Sequence, residues 1–393
     1  DSELQKFYDE RKAIVSDLEK AEEQAALTKE YNRAKYFNRE ILKIKRNNVI
    51  SELSGECVIP KYGFPVDVVE LKVFENGERI DKYNLSRDLS IAISEYAPDS
   101  EVIVDDKKYT SRFILRPKTR DDFTEYYYYE CPVCERMNVQ ESLTNEIVNC
   151  RYCKHLYPDV IKNYYIEPIY GFATDIRNKE SRTKRPRKTY SGEYKYLGDG
   201  ISNNDKIEYN GIVTIESARD DKLLVLNSNP FFKCPVCGYT ILDKKRAQND
   251  SITLGRKHQN HLGYDCQNIE RLYKVSLGHT FKTDVIKIGV LGLIKREKAL
   301  STLYALIEGI VDNFDIERKD INGLINKTDT GEYEMIIFDN VPGGAGHVKR
   351  ILESNNLKSV FTSAYNVVNR NCCDEDTSCY NCLRTFNNQK VHQ

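Results

Sequence analysis

Several absences narrow the field before any motif is read. No apolar run approaches the roughly twenty residues that an apolar helix needs to cross a bilayer, and the opening residues carry no apolar core of the secretory kind. No membrane partner is expected, and a reducing, cytoplasmic compartment is. None of GxxxxGK[ST], a DEAD-type acidic box, a nucleophile elbow or HExxH occurs in the 393 residues, so no motor or hydrolase signature is written in the chain. Charge of one sign is also missing: 59 Lys and Arg against 60 Asp and Glu leave a net of −1, which confines any nucleic-acid contact to local patches. No methionine precedes Asp1, and the chain stops at His392-Gln393 in mid-pattern, which suggests a piece of a longer protein.

What the chain has is cysteine. Of its 12 cysteines all but Cys57 fall into three clusters built around C-x-x-C pairs, a pattern of metal ligation in a reducing compartment and not of disulfides. Cys131-Pro-Val-Cys134 and Cys150-Arg-Tyr-Cys153 flank 15 residues and predict a four-thiolate zinc ribbon. Cys234-Pro-Val-Cys237 and Cys266 offer three thiolates, with His258 the preferred fourth ligand although His261 is also within reach. Cys379 and Cys382 form a third knuckle beside the adjacent pair Cys372 and Cys373. Vicinal cysteines rarely share an ion, so one of that pair is expected free, or the fourth ligand comes from elsewhere. Closed sites leave no position for water or substrate, which makes two to three zinc ions structural and not catalytic. Cys57 reads as packing.

With 40% hydrophobic and 30% charged residues the chain can bury one large core or two to three smaller ones. The fold expected is α+β: a strand-rich body with inserted zinc ribbons and a C-terminal α/β layer closed by a zinc knuckle. Residues 1–54 read as an amphipathic helical spacer, since Leu4, Phe7, Ile14, Leu18, Ala21 and Ala25 recur mostly at three- and four-residue steps. Residues 55–125 read as an α+β segment, with a helix over 89–96 and a hairpin through Asp105-Asp106. The ribbons fall at 126–160 and 231–270, a β-rich segment at 161–230, and the C-terminal domain at 271–393. Tyr126 to Tyr129 predict a strand whose rings pack in a core or at an edge in preference to stacking bases.

Between the ribbons, Arg182, Lys184, Arg185, Arg187 and Lys188 put five cations into seven residues around the helix-breaking Pro186. Such a run clamps phosphates or is a solvated loop. In the last segment a strand is expected from Val285, with His279, Thr283 and Asp284 just before it. A core helix over 295–314 follows, then turn and helix-start chemistry over 315–322. The strand over 335–339, the glycine turn with Gly343, Gly344 and Gly346, and a helix from His347 form a geometry that offers outward amides to phosphate, or a tight turn that packs helix on strand. An enzymatic reading would use Asp284, His279, Asp339 and His347 for phosphoester chemistry, but no second carboxylate cluster or open metal site accompanies them.

Four phrases together resemble a known family: Pro60-Lys-Tyr-Gly-Phe-Pro-Val-Asp-Val-Val69, the stretch Ala97 to Val104, Phe338-Asp-Asn-Val-Pro-Gly-Gly-Ala-Gly-His347, and Thr377-Ser-Cys-Tyr-Asn-Cys-Leu-Arg384 with Asn388, Gln389 and His392. They are similar to the C-terminal zinc-binding region of bacterial superfamily-two DEAD/DEAH-box helicases, the region named after the mitomycin-repair helicase MrfA and present in DISARM anti-phage proteins. The resemblance covers about residues 55–393. It implies a DNA-translocating ATPase whose RecA-like motor domains lie upstream, with ATP bound there and not here. It also places the family's terminal cysteine site on Cys379 and Cys382 with Cys372 or Cys373, although the doubled cysteine departs from the family pattern. The expected role is a DNA-engaging accessory region in phage defence or DNA repair, with DNA and the motor domains as partners. The other reading is a scaffold that docks a defence-complex subunit and touches no DNA.

Overall fold

The computed structural model describes residues 2–31, 34, 37–38, 41, 67–116, 123–141, 149–156, 163–176, 179–180, 186–187, 192–198, 201–268, 271–340, 344, 346–352, 356–374, 377–385 and 388. Of the residues singled out above, Cys57, Pro60 to Val66, Arg182, Lys184, Arg185, Lys188, Val341, Pro342, Gly343, Ala345, Gln389 and His392 lie outside them. The fold is α+β and strand-rich. No helix among the described residues is long and apolar enough to cross a membrane.

Two long strands organise it. Val213–Lys233 and Leu272–Val290, rich in the β-branched and aromatic residues that suit a pleated surface, pair antiparallel from Val213↔Val290 to Lys233↔Tyr273. Register shifts between Ala218 and Asp221 and between Asn227 and Phe231 bend this ribbon. It forms the middle of an 11-stranded sheet. Tyr164–Ile166 joins Leu272–Val290 in parallel and carries the hairpin Tyr126–Glu130/Met137–Glu141, while the hairpin Ile321–Lys327/Tyr333–Asp339 pairs further along the same strand. Segments 126–160, 161–230, 231–270 and 271–393 therefore all contribute strands to one sheet. A 6-stranded sheet built on Val68–Lys72, Lys107–Ile114 and Phe172–Thr174 packs beside it. Its hairpin turns through Asp105 and Asp106 at φ 48° and 59°, the left-handed pair that a two-residue turn needs.

Both faces of Leu272–Val290 are buried, and side-chain alternation divides them between two cores. Leu277, Phe281 and Val285 meet Leu89, Ile93, Tyr96 and Phe172 of the smaller sheet and its helix Leu89–Glu95. Ile286 and Ile288 meet Leu303, Ile307 and Ile310 of the helix Arg296–Phe314 and Val360 and Val367 of the helix Asn356–Val368. Tyr333–Asp339 divides the same way, with Ile336 and Phe338 on the first side and Met335 and Ile337 on the second.

Two expectations are corrected. The strand expected from Val285 begins at Leu272, so His279, Thr283 and Asp284 lie inside it. Residues 315–320 do not start a helix: Asp315 takes φ 51° and ends the preceding one, and Ile321 opens a strand. The opening helix, Ser2–Leu27, buries only part of its stripe, since Ala25 is covered while Ile14 is 53% exposed.

The helices Arg296–Phe314 and Asn356–Val368 touch backbone to backbone at Gly309, where an added Cβ would stand 2.7 Å from Ala364 N and from Val360 O. Helix propensity alone would make Gly309→Ala stabilising by about 1 kcal/mol. The expected result in chemical denaturation is the opposite sign, a net loss of about 1–3 kcal/mol from overpacking.

Candidate metal centres

Three knuckles share one backbone design. Cys131 N donates to Arg136 O and Glu135 N to Cys131 O at 3.0 and 2.8 Å; Cys150 N donates to His155 O and Lys154 N to Cys150 O at 2.8 and 3.0 Å. Cys234 N donates to Tyr239 O and Gly238 N to Cys234 O at 2.8 and 3.1 Å. In each, the residue after the second cysteine takes a positive φ, 58° at Glu135, 61° at Lys154 and 75° at Gly238. Only the third position demands glycine for space, because a Cβ there would collide with Ile114 O.

The knuckles bring their ligand atoms to metal-site spacing. A tetrahedral ion with zinc–sulfur bonds near 2.3 Å sets sulfur–sulfur edges of about 3.8 Å. Cys131 and Cys153 stand 3.5 Å apart, as do Cys134 and Cys150. Cys234 and Cys266 are 3.8 Å apart, with His258 Nε2 3.3 Å from Cys237 Sγ. In the last cluster Cys372 lies 3.6 Å from Cys379, Cys373 3.7 Å from Cys382, and Cys379 3.9 Å from Cys382. The four ligand atoms of each cluster all lie within 4.8 Å of one another, so the donor sets fit zinc. Of the alternatives left open for the adjacent pair, the geometry takes neither as free, since both Cys372 and Cys373 turn their sulfurs to the same centre.

The two histidines separate by surroundings. His258 is buried and faces the thiolates, whereas His261 packs its ring against Phe74 and Phe113 at 5.2 and 5.9 Å, and burial lowers its pKa. Asparagines that the sequence reading missed support the sulfurs: Asn138 Nδ2 donates to Cys150 Sγ at 3.6 Å and Asn268 Nδ2 to Cys234 Sγ at 3.3 Å. Their signal was position, four residues beyond Cys134 and two beyond Cys266.

Crowded thiols without a cation push one another apart in acidity. The hydrogen bond between Cys237 and Cys234 lowers Cys234 to about 4 and, with burial, raises Cys237 strongly. Burial would raise Cys150, yet the amides of Cys153 and Tyr152 and the Asn138 amide outweigh it and bring it down to about 6, while burial pushes Cys134 up to about 12. A divalent cation is the group that stabilises every thiolate at once.

The other candidate sites resolve differently. Of the two readings of the glycine turn, phosphate contact or helix-on-strand packing, the second fits: the amides of His347 and Val348 donate to Asp339 Oδ2 and Oδ1 at 3.2 and 3.1 Å. Asp284 pairs with Lys349 at 2.8 Å and lies close to Gly344. Gly346 follows at φ 76°. The turn thus packs helix on strand and holds its own carboxylates where an anion would sit. His279 does not join Asp284, because five residues along one strand put them on opposite faces. Arg187, the one cation of the 182–188 run among the described residues, donates its backbone N to Glu101 Oε2 at 2.9 Å and its guanidinium to Asp99 O at 3.1 Å.

With this geometry in hand, the chain is a strand-rich α+β protein with several cysteine-rich zinc-binding sites. Residues 302–383 match the family model described as MZB, the MrfA Zn-binding domain, and the chain carries an MrfA-type zinc-binding region there. Druantia protein DruE of Escherichia coli (strain UMEA 4076-1) is 20% identical across 89% of this chain and 21% of its own, so the chain spans about a fifth of that relative's length. Two crystal structures of DUF1998 helicase MrfA, one bound to DNA and one to DNA and AMPPNP, align with 81% and 80% of this chain and 32% and 29% of theirs. Their identities of 10% and 9% and TM-scores of 0.36 and 0.30 are too low to define the fold.

Two predictions follow from these surroundings. His258→Ala should cost one zinc per chain by native mass spectrometry, whereas His261→Phe should retain the full count; loss of metal in the second variant alone would reverse the assignment. His279 stands 3.4 Å from Glu167 and 4.0 Å from Asp67; burial lowers its pKa, but Glu167 first, then Asp67 and Asp88, raise it above the ordinary value overall. A raised folded pKa gives stability that is fully present below about pH 6.5 and lost as pH rises through the folded value. Unfolding free energy should therefore fall above pH 6.5, and His279→Gln should flatten that part of the profile.

Proposed function

We propose that this chain is the zinc-stabilised, DNA-engaging accessory region of an ATP-driven helicase or translocase of the DEAD/DEAH-box kind, acting in the cytoplasm in phage defence or DNA repair. The observation that carries the reading is the match of residues 302–383 to the MrfA Zn-binding domain. ATP would be bound and hydrolysed by motor domains outside the 393 residues, none of which carries a phosphate-loop signature. Two to three zinc ions would sit on Cys131, Cys134, Cys150 and Cys153; on Cys234, Cys237, His258 and Cys266; and on Cys372, Cys373, Cys379 and Cys382. Bound there, zinc supplies cross-linking and charge neutralisation, with every ligand position filled by protein.

The DNA contact we assign to the basic run. Arg187 serves as its mooring, since both its backbone and its guanidinium are engaged by Asp99 and Glu101. Phosphate contact then falls to Arg182, Lys184, Arg185 and Lys188. A scaffold reading has one specific observation in its favour, an apolar cleft of about 560 Å³ lined by Tyr209, Val213, Leu357, Phe361 and Tyr365.

Replacing Arg182, Lys184, Arg185 and Lys188 together by Gln, with Arg187 kept, should weaken DNA binding and reduce the slope of log affinity against log salt by about 3, as each released phosphate contact contributes roughly 0.7–0.9. Fluorescence anisotropy across a salt series reads both. Unchanged affinity and slope would leave the loop a solvated surface, and binding of a protein partner without any DNA affinity would select the scaffold.

A further inference from the structure

The three cysteine centres differ sharply in protection. Cys131, Cys134 and Cys150 of the first are buried and Cys153 is half-buried; Cys234, His258 and Cys266 of the second are buried and Cys237 is half-buried, and neither centre has an exposed ligand. Each of those centres also has an asparagine amide directed at a sulfur. In the third, Cys372 and Cys373 are exposed and Cys379 and Cys382 are only half-covered. Its sulfurs accept hydrogen bonds from the knuckle's own backbone, Cys379 N to Cys382 Sγ at 3.2 Å and Asn381 N to Cys379 Sγ at 3.4 Å. Oxidant reaches a thiolate by contact, so susceptibility follows exposure, and a centre with open sulfurs reacts first.

We propose that the Cys372, Cys373, Cys379 and Cys382 centre is a reversible modification site for hydroperoxides, which release its zinc while the other two centres keep theirs. The inference rests on the reading of all three clusters as zinc sites. The chemistry is two two-electron steps. In each, a thiolate attacks the peroxide and breaks the O–O bond. It becomes a sulfenic acid, and the peroxide is reduced to water or an alcohol after one proton is taken up. The neighbouring thiolate then attacks the sulfenic sulfur, forming the S–S bond and expelling hydroxide. Proximity selects the pairs Cys372 with Cys379, 3.6 Å apart, and Cys373 with Cys382, 3.7 Å apart. With its four thiolates consumed the site holds no charge to retain a divalent cation, and the ion leaves. A dithiol reductant with zinc reverses the sequence.

The consequence for the fold is local. Leu383, next to Cys382, is buried in the core that holds Val360 and Val367, and Arg370 ties Asn381 O at 3.1 Å to Asp312 at 3.3 Å. The knuckle therefore anchors the end of Asn356–Val368 against Arg296–Phe314. Its rearrangement into two disulfides loosens that anchor and leaves the sheet in place.

The test uses the whole zinc-loaded chain, treated with a small excess of hydrogen peroxide. Released zinc is read with a chromogenic chelator, and cysteine alkylation is mapped by mass spectrometry. The expected result is one fast equivalent of zinc, loss of alkylation at Cys372, Cys373, Cys379 and Cys382 only, and recovery after dithiothreitol and zinc. Cys372→Ser with Cys373→Ser should abolish the fast equivalent while the remaining zinc stays bound. Simultaneous release from all centres, or earlier oxidation of Cys131, Cys134, Cys234 or Cys266, overturns the proposal. Absence of zinc at the C-terminal cluster before any peroxide is added overturns the metal reading itself, a result distinguishable by the starting stoichiometry.

Discussion

The ribbon of Val213–Lys233 and Leu272–Val290 is the constraint on which the rest is arranged. A strand buried on both faces must satisfy two cores at once, and its period of two leaves no freedom to do so by slipping: a shift of one residue would put Ile286 where Val285 packs and invert both layers. That register is held at one end by the Tyr333–Asp339 hairpin and at the other by the second cysteine centre. Lys233 pairs with Tyr273, and the very next residue is Cys234, with Cys266 six positions before Leu272. The candidate ligands Cys234 and Cys266 therefore gather at the end of the ribbon that would otherwise fray. The first centre does the same for the hairpin Tyr126–Glu130/Met137–Glu141, whose turn is Cys131 to Cys134 itself.

Electrostatics makes these closures conditional. Thiols gathered to within 4.8 Å cannot all ionise in isolation, which is why one thiol in a pair is driven down while its partner is driven up. A cation converts mutual repulsion into four attractive bonds, so the free energy of metal binding is also free energy of holding these ends together. Placement at strand and helix ends is where such energy has most effect, because ends have the fewest neighbours and open first.

Much of this was legible because knuckles are local. A C-x-x-C pair and the turn after it are fixed by about six residues, so spacing alone located the clusters, and periodicity found the helix over 296–314 and the buried strand ending at Asp339. The choice between His258 and His261 was not legible, since the deciding neighbours, Phe74 and Phe113, lie some 150–190 positions upstream. The long strand is read from the sequence only from Val285, whereas the polar His279 and Asp284 inside it are accommodated by tertiary contacts, His279 by Glu167 and Asp284 by Lys349. The sequence left the glycine turn open between phosphate contact and helix-on-strand packing, and the structure favours the second. Its amides have the outward geometry expected of an anion site, but Asp339, eight residues earlier, supplies the anion from within the chain.

The second cysteine centre and Arg187 are joined by direct contacts. Tyr239, two residues past Cys237, lies against His258 at 5.0 Å and under the Arg112 guanidinium at 5.9 Å. Arg112 in turn pairs with Asp99 at 2.5 Å and Asp175 at 3.3 Å. Asp99 accepts from Leu242 N through its carboxylate at 2.7 Å and from Arg187 through its carbonyl at 3.1 Å. A path of direct contacts thus runs from a candidate zinc ligand to Arg187, crossing from the large sheet to the small one. The Arg112 and Asp99 links are part-buried and charge-assisted, while the final one to Arg187 is exposed. In a chain of net charge −1, any grip on a polyanion depends on where a few cations are held and not on the overall field.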